Sequence, residues 1–270
     1  MNHATHKLRR LLPLLALAGA SLAAPAAASG TAPAAPRAPA AVAAGPVDHS
    51  AFDRVLKKYV NGQGLVNYKA LKADPKEFNQ YLELLSKNPP AARGSKADQM
   101  AYWINAYNAY TIKLILEHYP LKSIKDIGSS VQIPFVSTPW AAKFFSIGGT
   151  KMSLDNIEHG VLRKKFNDPR IHFAIVCASL SCARLRSEAY TGEQLERQLD
   201  DQGRDFVNNP AKNKVGKTTA QLSKYFDWYK GDWNKNGQSV AAWVNKYATT
   251  KMDPTAKISF LDYNWKLNEQ

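Results

Sequence analysis

The stretch Lys96–His118 constrains this chain's fold more than any other. Tyr102, Trp103, Ile104, Tyr107, Tyr110, Ile112, Leu114, Ile115 and Leu116 surround most of a helical circumference with apolar or aromatic side chains. A helix that is apolar on nearly every side must be wrapped by other elements, so the fold is built around it. Ser95, with Asp98 three residues on, supplies an N-cap signal, and Pro120 stops the helix beyond His118. Two asparagines, Asn105 and Asn108, lie one turn apart on one face. A buried amide without partners costs about 1–3 kcal/mol. Both asparagines must therefore bond neighbouring backbone or line a polar cavity.

The remaining elements follow from periodicity. Phe52, Val55, Leu56 and Tyr59 predict a helix ended by Gly62 and Gly64, with a short extended stretch over 65–68. Phe78, Tyr81, Leu82 and Leu85 predict another, stopped by Pro89-Pro90. After a loop with Trp140 come a strand over 144–147, a Gly148-Gly149 turn, and a helix capped by Ser153 and reaching about residue 166. Residues 171–177 are continuously apolar after His172 and read as a central strand. Thr191 with Gln194 suggests a capping box for a helix to 207. Helices over 223–229 and 239–247 and a strand over 258–263 complete the chain. Helices outnumber strands without regular alternation. The expected fold is α+β: a single domain with a buried central helix, several packing helices and a small, mostly antiparallel sheet.

The charge needs correcting before use. The 270 residues carry 36 Lys and Arg against 22 Asp and Glu, a net +14. Residues 1–28 read as a secretory signal, with Lys7, Arg9 and Arg10 ahead of a short apolar run and Ala26-Ala27-Ala28 at its end. That run falls short of the roughly 20 residues a bilayer demands, so no transmembrane segment is expected. Cleavage would leave 33 basic against 22 acidic residues, or +11. Residues 29–47, almost all Ala and Pro, read as a disordered tether, leaving 48–270 as one globular domain. His3, His6 and His49 fall in signal or tether, and His118 reads as a capping or surface residue. The expected location is periplasmic or secreted. Lys and Arg are scattered, with no basic stripe interleaved with aromatics, so nucleic acid is not an expected partner. Weak attraction to anionic envelope surfaces is the most the charge suggests.

No P-loop, G-x-G-x-x-G or G-x-S-x-G occurs. The densest chemical signal is I-H-F-A-I-V-C-A-S-L-S-C, which holds His172, Cys177, Ser179 and Cys182, with Glu158 and His159 upstream in N-I-E-H-G. On a strand, His172 and Cys177 would face opposite sides, which leaves His159 as the freer partner for a thiol. Three readings follow. In the first, Cys182 or Cys177 attacks an amide or thioester, His159 moves the proton, Glu158 or His172 supports it, and Asn105 donates to the oxyanion. In the second, Cys177 and Cys182 form a structural disulfide in a non-catalytic binding module. In the third, His159, His172 and the cysteines form a zinc or thiol-redox site, although C-x-x-x-x-C is not the tight C-x-x-C spacing. No cofactor is implied.

Together, W-I-N-A-Y-N, N-I-E-H-G, H-F-A-I-V-C-A-S-L-S-C, L-S-K-Y-F-D-W-Y and F-L-D-Y-N-W-K-L-N resemble the domain of unknown function 547 family. That family is found in bacteria and in plant ternary-complex-factor leucine-zipper proteins. It usually continues S-C with Pro, where this chain has Ala183. The resemblance implies that Trp103, Asn105, Tyr107, Asn108, Glu158, His159, His172, Cys177, Ser179 and Cys182 match its signature positions. Trp103, Asn105, Tyr107, Asn108 and Ser179 are then the candidate substrate-binding residues. The resemblance implies no substrate.

Overall fold

The long helix α4 (Lys96–His118) opens on a full capping box. The Ser95 hydroxyl accepts from the Asp98 N–H, and the Asp98 carboxylate accepts from the Ser95 N–H. The structure is a computed structural model that describes residues 45–90, 94–128 and 138–270, which belong to one compact unit. The expected signal and most of the expected tether lie outside the described residues. Within α4, the buried positions from Met100 to Ile115 cover nearly every side of the helix, Asn105 and Asn108 included. Helices α1 (Ser50–Tyr59), α2 (Tyr68–Ala73) and α3 (Lys76–Lys87) pack at one flank, with Phe52 stacked on Tyr81 at 4.8 Å. A π-helix, Asn156–Phe166, packs along α4 as well.

Two details at the start of the domain differ from expectation. His49 does not belong to a tether: it is buried, with Nδ1 2.7 Å from the Tyr81 hydroxyl, and Val47 before it packs against the core. Tyr68 is not extended but begins α2, because the Asn67 side chain caps the Ala70 N–H.

Strands are short. β1 (Phe145–Ile147) and β2 (Thr150–Met152) form an antiparallel hairpin whose turn residues, Gly148 and Gly149, have φ of 56° and 78°. That left-handed pair is available to glycine without steric cost. β3 (Lys214–Val215), β4 (Thr219–Leu222) and β5 (Lys257–Phe260) form a second sheet, antiparallel between β3 and β4 and parallel between β4 and β5. The α+β expectation holds. Among the described residues no helix is long and apolar enough to cross a membrane.

The expected central strand over 171–177 is not one. Ile171–Ala174 is a helical turn (α5), and the chain leaves it through Ile175 in extended form. Buried amides replace the neighbouring strand. The Asn108 side chain donates to the Ala174 carbonyl (3.0 Å) and accepts from the Val176 N–H (2.9 Å), while Gln202 donates to the Phe173 carbonyl. Aromatic packing holds the turn, with Phe173 against Phe206 and stacked on Trp233. The following helix also starts later than expected: α6 (Leu195–Asn208) has no side-chain cap, and the Thr191 hydroxyl is buried without a partner. The C-terminal aromatics fold as α7 (Tyr225–Trp228), α8 (Lys230–Trp233) and α9 (Val240–Tyr247), the last capped by Ser239. β5 ends at Phe260, which leaves Tyr263 outside any strand.

Candidate functional site

The cysteine loop is a tight turn stitched to the C-terminal segment. Ala178 takes φ 55°, in the left-handed region that a residue with a Cβ occupies only when its surroundings enforce it. Its carbonyl accepts from the Asn268 N–H, and the Leu180 and Ser181 N–H groups donate to the Lys266 and Asn264 carbonyls. This stitching brings Tyr263 onto Cys177. The Cys177 Sγ lies 3.1 Å from the Tyr263 hydroxyl, 3.2 Å from the Ser179 hydroxyl and 3.9 Å from the Tyr225 hydroxyl.

Both cysteines are free thiols, so the structure shows no Cys177–Cys182 disulfide. They are nevertheless close, because the Cys177 N–H donates to the Cys182 Sγ at 3.0 Å. The pair divides the charge unequally. Hydrogen bonding from Cys182, reinforced by Ser179, Tyr263 and Tyr225, outweighs burial and pulls the Cys177 thiol down to about 6. Burial, and then the neighbouring Cys177, push the Cys182 thiol well up. Cys177 is half-buried and faces a cavity, whereas Cys182 is buried against the Tyr225 hydroxyl at 2.7 Å.

That cavity has a volume of about 460 Å³. Cys177, His172, Glu158, His159, Asp155 and Tyr107 all line it, with Trp140, Trp228, Tyr229 and Trp265 among its aromatic walls. His172 and Cys177 thus share one space, contrary to the expectation of opposite faces, because the backbone between them is not a strand. Trp103, Asn105 and Asn108 do not line the cavity. Trp103 packs edge-on against Tyr102. Both ends of the Asn105 amide hold the Tyr190 backbone, at 2.8 and 2.9 Å, and the side chain does not reach the cavity, so it is not an oxyanion donor there.

The two histidines differ in which nitrogen is free. Asp232 Oδ2 lies 2.9 Å from His172 Nε2, and Arg163 Nε donates to the same oxygen at 2.6 Å. Burial alone would raise the Asp232 carboxyl, but His172, Arg163 and Lys235 together hold it far below the usual carboxylate range. An ionised Asp232 can only accept, so His172 carries its proton on Nε2 and a lone pair on Nδ1. That Nδ1 is buried with no hydrogen-bond partner. Tyr229 stacks on the ring at 3.7 Å, and burial lowers its pKa, keeping it neutral. His159 is the reverse. Its Nδ1 sits 3.0 Å from Arg163 Nη1, a group that can only donate, so the imidazole lone pair is occupied. Burial lowers the His159 pKa too.

The π-helix presents Glu158 and His159 to the cavity, and inserted π-turns are frequent at functional sites. Glu158 is buried with Oε1 unpartnered, 3.9 Å from His159 Nδ1. Among the described residues no group of three or more His, Cys, Asp or Glu could hold a metal, so the four zinc candidates do not converge. Asp232, Arg163, Tyr225, Tyr263, Trp228 and Trp265 were not singled out as site residues from sequence. For Tyr225, Trp228, Tyr263 and Trp265 the signal was the density of hydroxyl- and NH-bearing aromatics in L-S-K-Y-F-D-W-Y and F-L-D-Y-N-W-K-L-N; Arg163 and Asp232 carried none.

No curated protein and no solved structure matches the chain significantly. The family model described as "Protein of unknown function, DUF547" matches residues 92–207. That span contains α4, the π-helix, both cysteines and nearly all of α6, while Tyr225, Asp232 and Tyr263 lie beyond it. Over the part of the chain that builds α4, the π-helix and the cysteine loop, the protein resembles the DUF547 family.

Proposed function

We propose that this is an exported thiol-dependent acyl transferase or hydrolase, with Cys177 as nucleophile and His172, oriented by Asp232, as base. The observation that carries the reading is a depressed Cys177 thiol on the wall of the same cavity as the unpartnered His172 Nδ1. A positioned thiolate and a base oriented by a third group are the parts that covalent acyl transfer needs. The Cys177 thiolate attacks the acyl carbonyl carbon and an S–C bond forms. The protonated Tyr107 hydroxyl, held up by burial and by the nearby Glu158, donates to the oxygen that takes the charge. Collapse expels the leaving group and leaves an acyl-Cys177 thioester. Water or another acceptor then attacks this thioester as its proton passes to His172 Nδ1, and the Cys177 thiolate is released.

The protonation states favour one leaving group. A departing amine must be protonated, and His172 is neutral in the resting site. A departing thiolate needs no proton. A thioester donor therefore suits the site better than an amide.

Iodoacetamide labelling followed by intact-mass analysis tests the assignment. One adduct should form at neutral pH in the wild type, vanish in Cys177→Ser and persist in Cys182→Ser. Labelling that tracks Cys182 instead, or no labelling of the folded protein, overturns it.

The contact between the two sulfurs supports a second reading, thiol–disulfide exchange. Cys177 would open a substrate disulfide, forming a mixed disulfide and releasing one thiolate. Cys182 would then attack Cys177, releasing the other and leaving a Cys177–Cys182 disulfide. Cys182→Ser separates the two chemistries: it stops exchange at the mixed disulfide, whereas thioester turnover persists with its pH dependence moved upward, since Cys182 helps to lower the Cys177 thiol.

A further inference from the structure

A chain of net +14 has a cavity whose lining contains carboxylates but no Lys or Arg among the described residues. Asp155 and Glu158 both line it, and Glu158 is only 5 % exposed with Oε1 lacking any hydrogen-bond partner. A buried carboxylate oxygen left in this state is costly unless something else supplies the missing partner. The Arg163 guanidinium feels the Glu158 carboxylate at a distance, but its hydrogen bonds go to Asp232 and His159 rather than to Glu158 Oε1. Three indoles stand around the same space. Trp140 and Trp265 meet at 59° with centroids 5.7 Å apart, and Trp228 lies nearly parallel to Trp265 at 5.9 Å. Trp265 already carries one cation, the Lys125 ammonium 5.1 Å over its ring, which leaves Trp140 and Trp228 as the faces for a ligand.

From these features we infer that the cavity recognises a cationic group, an ammonium or quaternary ammonium, on the substrate it presents to Cys177. Indole faces attract such a cation through the ring quadrupole, most strongly where water is excluded. Glu158 supplies the opposite charge from within the wall, and Asp155 adds to it. Burial raises the Asp155 carboxyl, so its charge is costly without a nearby cation and would be stabilised by one. The inference extends the proposed thiol chemistry by naming a substrate class, and it is tested without relying on turnover.

The probe pair is choline and its uncharged carbon isostere, neohexyl alcohol, titrated into the Cys177→Ser protein and followed by tryptophan fluorescence and calorimetry. Choline should bind about tenfold or more tightly than the alcohol. Glu158→Gln should remove most of that preference at unchanged helix content. Trp228→Leu, at a side chain 47 % exposed and so safe for folding, should weaken choline several-fold. No binding of choline at millimolar concentration, equal binding of both probes, or a preference unaffected by Glu158→Gln overturns the inference. Because Cys177 is absent from the assay, a negative result leaves the thiol chemistry standing. Conversely, a wild-type protein that binds choline but resists iodoacetamide would sink that chemistry alone.

Discussion

The interior of α4 and the wall of the cavity both bury polar side chains, yet they treat them in opposite ways. Asn105 and Asn108 have every amide function they can use spent on backbone: Asn105 on Tyr190, and Asn108 on Ala174 and Val176. Glu158 Oε1 and His172 Nδ1 are equally hidden and have no partner. A satisfied buried amide is a structural clamp, because its removal orphans two main-chain groups at once. An unsatisfied buried acceptor beside a cavity is held ready for something else. Polarity and burial alone do not separate the two classes; the pairing of each atom does.

The sharpest way to break this comparison is to cut a clamp. Asn108→Ala leaves the Ala174 carbonyl and the Val176 N–H buried without partners, which should cost about 3 kcal/mol. In a domain of this size that corresponds to a fall in Tm of roughly 10 °C. Asn105→Ala should behave similarly, with the loss localised by hydrogen exchange at Tyr190. If either variant melts like the wild type and instead loses ligand binding, the asparagines belong to the site and the distinction fails.

How much of this was legible in the sequence follows the same divide. The apolar circumference of α4, its Ser95 cap and the Gly148-Gly149 turn are local signals, and the structure keeps each of them. The segment over 171–177 was misread because β-branched apolar residues announce a buried extended chain but not what satisfies its backbone. Here the partners are side chains of Asn108 and Gln202, distant in sequence. Cys177, His172, Glu158 and His159 could be found as chemistry-bearing residues, but their roles could not. Role depends on which nitrogen Asp232 and Arg163 occupy: the first contact joins residues 60 apart in the chain, and the second, one turn apart on the π-helix, needs a side-chain orientation that spacing alone does not give. Tyr263 reaches Cys177 because the C-terminal segment is stitched to the cysteine loop.

The next effect concerns charge on sulfur. With the Cys177 thiol pulled down to about 6, its alkylation should be half-maximal near that pH and flat above it. Cys182→Ser removes the largest single cause of the depression and should shift the midpoint upward. The sign for stability follows from linkage: a depressed acidic group stabilises the fold fully above its unfolded pKa and ceases to do so as pH falls through its folded value. The stability gap between wild type and Cys177→Ser should therefore shrink between pH 9 and pH 6. A midpoint near that of an ordinary thiol would mean the hydroxyl cluster packs around Cys177 without tuning it.

The smallest effect is the most discriminating for the comparison. Glu158→Gln keeps the shape of a fully buried side chain but removes its charge. Because Oε1 has no hydrogen-bond partner to lose, and a Gln carbonyl can still accept from the Tyr229 hydroxyl that bonds Glu158, the change should alter stability by less than about 1 kcal/mol. Thermal melts of Glu158→Gln and Asn108→Ala side by side measure the contrast directly. Nearly unchanged Tm in the first, against a large loss in the second, is what separates a wall held ready for a ligand from a clamp that holds the chain. A Glu158→Gln loss as large as that of Asn108→Ala would show that this carboxylate is part of the scaffold, and the case for a cation in the cavity would lose its charged half.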